Sequence, residues 1–286
     1  MTTELRFGLS VVPEATAYPH IVAQALAAER GGLDLLGIQD HPYQRRFLDT
    51  FSLLADLLAR TERLRMFPDV ASLPMRPPTM LAKAAASLDV MSGGRFELGL
   101  GAGAFWDAVA GMGGVRRGPG ERGDALEEAI RLIRAALDVG PGRGVVRGPG
   151  PLYPIPGYPP GPPTAHRVEI WVGAMAPAAL RRIGRLADGW IPGGGVSQLD
   201  RLAELGAVID EAAVEAGRDP RTIRRILNVS GVRLDGPVSD WADRLAGWHH
   251  DLRIDSFVFW APDETTAPVE RFAAEIVPAI RERVAG

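Results

Sequence analysis

Asp40 and His41 are adjacent residues that combine a carboxylate with an imidazole, and they end an apolar run at residues 36–39. Histidine donates or accepts a proton near neutral pH, and a neighbouring carboxylate can orient the ring or bias its charge. The pair therefore predicts acid–base chemistry, with His41 and Asp40 as the candidate catalytic residues. Asp40 also fits a purely structural role, as the cap of the turn that follows it.

Three glycine-containing segments follow other apolar runs, and glycine allows a backbone to approach a ligand closely. The segments contain Gly101, Ala102 and Gly103; Gly173, Ala174 and Met175; and Gly193. Pro177 fits the first turn of a helix, and the free N–H groups at a helix start bind anions such as phosphate. We therefore predict that these segments bind a cofactor. The first is no dinucleotide fingerprint, because position 104 is alanine rather than glycine.

Composition excludes several other chemistries and partners. The 286-residue chain has no cysteine, which excludes disulfides, thiolate nucleophiles and cysteine-bound metals. A formal net charge of -3 gives no field that would attract nucleic acid, and no histidine spacing predicts a metal site. No stretch approaches the ~20 apolar residues that cross a bilayer, and no signal peptide is visible. We expect a cytoplasmic protein without a nucleic-acid or membrane partner.

Short apolar runs alternate with longer segments whose apolar residues recur every three or four positions, which is typical of strand–helix units around a parallel sheet. The predicted strands span residues 6–12, 35–39, 64–70, 96–100, 168–172, 189–192, 225–229 and 256–260. The predicted helices span residues 18–30, 50–60, 79–91, 121–138, 178–186, 199–216, 238–249 and 267–284. Such a series most simply closes into a (β/α)8 TIM barrel, with an open doubly wound sheet as the alternative. In a barrel, the segments singled out above would meet at the mouth.

One segment interrupts this alternation. From residue 140 to residue 163, 16 of 24 residues are glycine or proline, which predicts an irregular loop because neither residue propagates a helix or a sheet ladder. A linker between two domains is one interpretation. Because the strand and helix pattern resumes at Val168, we predict an insertion at about 139–167, after the fourth strand and its helix, in a single domain spanning 1–286. We expect the insertion to lie near the barrel mouth.

Four segments together resemble the bacterial luciferase-like superfamily of flavin- and deazaflavin-dependent oxidoreductases. They are residues 38–42 (IQDHP), 73–77 (LPMRP), 88–103 (LDVMSGGRFELGLGAG) and 187–190 (ADGW). The match runs over most of the chain, and the third segment is the most specific. The resemblance implies a (β/α)8 barrel, usually dimeric, that holds the ring of FMN or coenzyme F420 in its mouth without a Rossmann domain.

The resemblance also implies roles for particular residues. Similar proteins have a non-prolyl cis peptide after the third strand that supports the cofactor ring. Counting back from Arg76 places this peptide at Asp69–Val70, so Asp69, Val70 and Ala71 join the predicted cofactor-binding residues. The Asp-His-Pro sequence looks more like the deazaflavin branch, in which the matching histidine lies beside the ring and assists hydride transfer. His41 inherits that role by resemblance.

The expected substrate departs from one branch of the family. Enzymes that resemble its sugar-phosphate dehydrogenases carry glutamate directly after the Gly-x-Gly-x-Gly loop, where this chain has Ala104. Asp107, on the same loop, is the candidate replacement for that acid. With Phe105, Trp106 and Met112 close by in sequence, we expect a small apolar or aromatic substrate.

Three functional hypotheses follow. The first is an F420-dependent oxidoreductase that transfers a hydride to or from its substrate, with His41 as proton donor or acceptor. The second is an FMN-dependent monooxygenase that uses reduced flavin and oxygen, with a flavin reductase as partner. The third is a catalytically silent flavin-binding barrel. The residues leave F420 and FMN open, because the two share a ring shape and a phosphate, and a homodimer is expected by resemblance.

Overall fold

Parallel strands form a closed barrel at the centre of the fold. The computed structural model describes residues 4–139, 144–261 and 265–285. The strands are β1 (Arg6–Val11), β2 (Leu35–Ile38), β3 (Arg65–Pro68), β4 (Ala71–Ser72), β5 (Leu98–Gly101), β6 (Val146–Gly148), β7 (Ile155–Tyr158), β8 (Ile170–Gly173), β9 (Gly189–Ile191), β10 (Arg224–Val229) and β11 (Ser256–Trp260). Nine of them form one sheet in the order β3-β2-β1-β11-β10-β9-β8-β5-β4. Because β3 and β4 are two halves of one strand, the sheet closes, and the predicted (β/α)8 barrel is confirmed.

Helices connect the successive strands of the barrel. They are α1 (Tyr18–Arg30), α2 (Thr50–Arg60), α3 (Pro78–Ser92), α4 (Trp106–Gly111), α5 (Pro119–Leu137), α6 (Pro177–Leu186), α7 (Leu199–Glu215), α8 (Val238–Leu252), α9 (Ala267–Arg271) and α10 (Val277–Ala285). A π-helical segment, Phe272–Ile276, joins the last two. The sequence pattern does not predict α4, because its six residues are too few to show a helical period. Within the described ranges, no helix is long and apolar enough to cross a membrane.

The hydrophobic core has an inner and an outer part. The inner cluster consists of Leu35, Phe67, Trp171, Ile191, Ile226 and Val258, with Val70 packed against it. Its members come from six different strands, so they fill the barrel interior below the mouth. The outer part lies between strands and helices and includes the predicted stripe of α5, where Leu126, Ile130, Ile133 and Leu137 are all buried. The strands are therefore buried on both faces, as expected for a parallel sheet.

The proline- and glycine-rich segment contains an antiparallel pair of strands, so the prediction of an irregular loop was wrong for its described part. β6 pairs with β7, with Val146 opposite Tyr158 and Gly148 opposite Ile155. Proline is tolerated in such a ribbon because each strand has an outer edge on which no N–H is required, and Pro156 lies exposed in β7. Residues 140–143 lie outside the described residues.

This β-ribbon packs along α5. Glu128 on α5 accepts hydrogen bonds from the backbone N–H groups of Leu152 and Tyr153, at 3.1 and 3.0 Å. No residue in the described part of the insertion lines the two mouth cavities presented below. The insertion therefore lines neither cavity, although Tyr153 contacts Arg117 in the connection after β5. A connection from a helix to the next strand begins at the opposite end of the barrel from the loops that follow strands.

His166 holds the end of the insertion against the barrel. Its Nδ1 lies 2.6 Å from Oδ1 of Asp89, and its Nε2 lies 3.0 Å from Oε1 of Glu97. Asp89 is fully buried, and its other oxygen accepts the N–H of Ala165 at 2.6 Å. Hydrogen bonds to Asp89 and then to Glu97 raise the pKa of His166 to about 9. The ring is therefore an imidazolium between two carboxylates at neutral pH.

Stability should depend on pH through His166. Its folded-state pKa of about 9 lies above the ordinary value of 6.5, so its contribution is fully present below pH 6.5 and is lost as the pH rises through about 9. We expect His166→Ala to lower the free energy of unfolding by about 2–3 kcal/mol at pH 6 and by much less above pH 9. Urea unfolding at both pH values measures this, with the exposed His250→Ala as control. An equal loss at both values would contradict the ion pair.

Candidate active site

Two adjoining cavities open where the barrel strands end. The first, the His41 cavity, has a volume of about 290 Å³ and is lined by Asp40, His41, Tyr43, Val70, Ala71, Ser72, Gly101, Ala102, Gly103, Ala104, Gly173, Ala174, Met175, Ala176 and Ala179. The second, the Asp69 cavity, has a volume of about 340 Å³ and is lined by Asp69, Val70, Gly173, Ala174, Met175, Ile191, Pro192, Gly193, Gly194, Gly195, Asn228, Ser230 and Trp260. Every residue predicted to be catalytic or cofactor-binding lines one of the two.

The third barrel strand bulges into the mouth between β3 and β4. The Asp69–Val70 peptide is cis, as the family resemblance implies. The two side chains point to different parts of the barrel. Asp69 contacts Ser10 and Asn228 on β1 and β10, whereas Val70 lies against Gly101 and Gly173 on β5 and β8. Val70 therefore lines both cavities, and Asp69 lines only the Asp69 cavity.

Glycine is required on the strands that face this bulge. A Cβ atom on Gly101 would lie 2.8 Å from Cγ2 of Val70, and one on Gly173 would lie 2.9 Å from the same atom. A Cβ atom on Gly99 would collide with the carbonyl oxygen of Pro68. The sequence predicts that these glycines let the backbone approach a ligand. In the structure their direct effect is to make room for the bulge, which places Val70 in the mouth.

His41 lies in the His41 cavity beside two aromatic rings. Its Nδ1 is 2.7 Å from the hydroxyl oxygen of Tyr43, and its ring meets that of Phe105 edge-on, with 5.6 Å between centroids. Burial lowers the pKa of His41, and the charge of Asp40 opposes this shift only in part, so the imidazole is neutral at pH 7. Burial, with the Asp40 charge, raises the pKa of Tyr43 to about 12. The site thus presents a neutral imidazole oriented by a protonated hydroxyl.

Asp40 is held in an ion pair with Arg76. Its Oδ2 accepts the N–H of Ser72 at 2.9 Å and Nε of Arg76 at 2.8 Å, while Oδ1 accepts Nη2 of Arg76 at 2.8 Å. Although burial opposes it, bonding to Asp40 and Asp49 raises the pKa of Arg76. Both oxygens of Asp40 are therefore engaged, and the carboxylate ties the end of β2 to the turn after β4. This geometry favours a residue that positions His41 over one that exchanges protons.

Asp107 does not supply the acid that is missing at Ala104. Its side chain is 91% exposed and pairs with Arg116 at 2.5 Å, outside both cavities. Phe105, which lies between Ala104 and α4, adopts a φ of 53°, and its ring rather than the Asp107 side chain lies against His41 and Tyr43. The interpretation of Asp107 as a replacement acid is therefore not supported by its position.

The predicted anion site lies at the start of α6. Pro177 occupies the first turn, Ala176 precedes it, and no side chain caps the helix. Ala176 and Ala179 line one end of the His41 cavity. The backbone N–H groups and the helix dipole make this end of the cavity attractive to a phosphate.

Sequence reasoning missed Tyr43, Asn228, Ser230 and Trp260 as site residues. Asn228 donates to Oδ1 of Asp69 at 3.3 Å, and Nε1 of Trp260 donates to Oδ1 of Asn228 at 3.1 Å. Asn228 and Trp260 lie at the carboxyl ends of predicted strands. A polar side chain near the end of an apolar strand was the signal that could have identified Asn228.

Comparison with known proteins places the chain in a family. The sequence profile described as luciferase-like monooxygenase matches residues 2–250. An uncharacterised protein of Mycobacterium tuberculosis is 32% identical over 248 residues, which cover 77% of this chain and 81% of that protein. The F420-dependent glucose-6-phosphate dehydrogenase of Gordonia bronchialis is 30% identical over 273 residues, which cover 92% of this chain and 75% of the enzyme.

The fold is shared with solved structures of similar enzymes. The F420-dependent tetrahydromethanopterin reductase of Methanopyrus kandleri superposes with a TM-score of 0.77 at 18% identity, over 97% of this chain and 100% of the other. Three findings support the same family: the sheet closes into a barrel, the strand bulges at Asp69–Val70, and the family profile matches residues 2–250. The chain therefore belongs to the luciferase-like family of F420-dependent dehydrogenases and flavin monooxygenases, which are oxidoreductases.

Proposed function

We propose that this protein is a coenzyme F420-dependent oxidoreductase that transfers a hydride to or from a small organic substrate. The observation that carries the proposal is the neutral, oriented imidazole of His41 in the same cavity as Val70 and the Gly101 segment. The Asp-His-Pro sequence supports the deazaflavin over the flavin. The F420-dependent glucose-6-phosphate dehydrogenase of Gordonia bronchialis, whose alignment covers 92% of this chain, also supports F420 as the cofactor.

The His41 cavity has the parts needed to hold such a cofactor. F420, when bound, supplies the two-electron redox chemistry through its deazaflavin ring. Val70 would support that ring, and the N–H groups at the start of α6 would bind the phosphate. The fit is supported by the glycines around Val70, because a Cβ atom on Gly101 or Gly173 would displace the side chain against which the ring is to rest.

His41 moves the proton that accompanies the hydride. During reduction, the imidazolium form of His41 gives its Nε2 proton to the substrate and is left as the neutral imidazole, while its Nδ1–H donates to the Tyr43 hydroxyl. During oxidation the step runs in reverse: the neutral imidazole, whose Nδ1–H again donates to the hydroxyl, takes a proton on its free Nε2. The hydroxyl serves both directions because its pKa of about 12 keeps it protonated. Asp40 and Arg76 hold the backbone from which His41 projects.

The proposed substrate is small and carries no phosphate. Among the described residues that line the two cavities there is no lysine or arginine to bind a sugar phosphate. Ala104 also stands where the sugar-phosphate dehydrogenases carry glutamate. Tyr43, Met175 and Trp260 give these walls apolar and aromatic surface, which suits an apolar or aromatic group.

An FMN-dependent monooxygenase is the second candidate. The matched family is described as luciferase-like monooxygenase, and the start of α6 would bind the phosphate of either cofactor. In that case His41 would assist oxygen activation, and a flavin reductase would be the protein partner.

Parallel titration of the purified protein with F420 and FMN tests the proposal. We expect saturable quenching of F420 fluorescence, with a dissociation constant at least about tenfold below that for FMN. The bound F420 should then be reduced by an oxidisable substrate in the absence of oxygen. Tight binding of FMN without binding of F420 would overturn the proposal and select the monooxygenase, which oxygen consumption with a flavin reductase would then measure.

A further inference from the structure

Asp69 is a carboxylic acid that the proposed hydride transfer does not use. Its side chain lines the Asp69 cavity together with Asn228, Ser230 and Trp260. Val70 borders both this cavity and the His41 cavity. A molecule bound in the Asp69 cavity would therefore lie next to the position proposed for the cofactor ring.

Among the described residues, the lining of the Asp69 cavity carries one negative charge and no positive charge. Asp69 is the one ionisable side chain among the described residues that line it. The glycine run that begins at Gly193 also lines the cavity and adds no charge. An anionic ligand would meet a carboxylate without any cation to offset it, whereas a cationic ligand would be attracted.

The hydrogen bonds that Asp69 receives are long. Nδ2 of Asn228 lies 3.3 Å from Oδ1, and Oγ of Ser10 lies 3.4 Å from Oδ2. Both exceed the usual donor–acceptor range, which ends near about 3.2 Å. Trp260 holds the oxygen of Asn228, so the Asn228 amide is oriented with its nitrogen toward Asp69. The carboxylate thus has an ordered but weak set of donors and can accept a stronger one.

Burial of Asp69 also favours binding of a cationic group against it. Removal from water raises its pKa to about 6, and the bonds from Asn228 and Ser10 oppose this shift only in part. At pH 8 the group is ionised and poorly solvated, a state that costs free energy unless a charged donor lies close. An ammonium group bound against it would remove that cost and form a charge-assisted hydrogen bond.

We propose that the Asp69 cavity is the substrate subsite and that Asp69 binds the amino group of the substrate as an ammonium ion. The substrate class is then a small apolar or aromatic molecule that carries an amine. The term substrate rests on the proposed function, whereas the preference of the cavity for an amine does not. The nearby Met175 and Trp260 contact the apolar part of the molecule.

Three probes with one aromatic ring and different end groups test this inference. Benzylamine, benzyl alcohol and benzoate are titrated by calorimetry at pH 8 into the protein with and without bound F420. We expect benzylamine to bind at least about tenfold more tightly than benzyl alcohol, and benzoate not to bind. Asp69→Asn should weaken benzylamine binding by about tenfold or more and change benzyl alcohol binding by less than about twofold.

Two further variants make the result interpretable. Asp107→Asn removes one negative charge outside both cavities and should leave the three affinities unchanged. Ser230→Lys places a cation in the cavity that offsets the charge of Asp69, and it should weaken benzylamine binding by about tenfold or more while changing benzyl alcohol binding by less than about twofold. This variant keeps the test valid if Asp69→Asn fails to fold.

Several outcomes would overturn the inference. Similar affinities for all three probes, or unchanged benzylamine binding in a folded Asp69→Asn protein, would remove Asp69 from recognition. Competition between F420 and benzylamine would assign the cavity to the cofactor instead. Failure of the proposed function would be a separate result. Even if the protein binds neither F420 nor FMN, the titration without cofactor still measures whether the cavity prefers an amine.

Discussion

Replacing His41 with alanine is expected to lower turnover by about 10²–10⁴ while the free energy of unfolding stays near the wild-type value. The reason is that the imidazole is the group proposed to move the proton. Its neighbours cannot replace it near neutral pH, because the pKa of Tyr43 is about 12 and both oxygens of Asp40 are bound. Stopped-flow reduction of bound F420 measures the rate, and urea unfolding measures stability.

Tyr43→Phe is the matched control for the His41 variant. It keeps an aromatic ring beside the imidazole but removes the hydroxyl that lies 2.7 Å from Nδ1. We expect a smaller loss, about tenfold, because the imidazole remains but is less well oriented. Added free imidazole should restore part of the activity of His41→Ala and none of the activity of Tyr43→Phe. Unchanged turnover in His41→Ala would exclude His41 from the mechanism.

Replacing Gly173 with alanine is expected to weaken cofactor binding by about 10- to 100-fold. The added Cβ atom would lie 2.9 Å from Cγ2 of Val70, and a β-branched side chain has little freedom to rotate away. Val70 would therefore shift toward the space proposed for the cofactor ring. Fluorescence titration with F420 measures the loss, and circular dichroism checks the fold.

A double variant distinguishes a shift of Val70 from a direct effect of residue 173 on binding of the cofactor phosphate. In Gly173→Ala combined with Val70→Ala, the colliding methyl groups are gone, so affinity should recover in part. Gly247→Ala on α8 is the control, because a Cβ atom there would meet nothing within 4 Å. A double variant that binds more weakly than Val70→Ala alone would show that the effect does not pass through Val70 and instead lies in the segment before α6.

Local pattern in the sequence was enough to predict most strands and helices of the barrel and the end of the barrel at which the site lies. The boundaries of α1 and α2 agree with the periodicity, because each helix turns one apolar face to the core over several turns. The position of the site followed from a general property of parallel barrels, in which the carboxyl ends of all strands meet at one mouth. His41 and the Gly101 and Gly173 segments were found for this reason.

Only the tertiary structure decided which of these residues contact one another. The sequence makes Asp40 a candidate catalytic residue, whereas its ion pair with Arg76, 36 residues away, favours a positioning role. Asp69 is separated from Asn228 by 159 residues, and no local pattern joins them. Such contacts depend on strand register and barrel closure, which are set by packing of the whole chain.

The same distinction explains the insertion. Its proline and glycine content correctly predicted a break in the strand and helix alternation, because both residues act through local backbone freedom. Its pairing of β6 with β7, and its position along α5, depend on partners such as Glu128 that lie elsewhere in the chain. By itself the sequence determined the barrel, the family and part of the mouth, including His41 and the Gly101 and Gly173 segments. Only the tertiary structure decided which side chains face the two cavities, because that depends on contacts between strands distant in sequence.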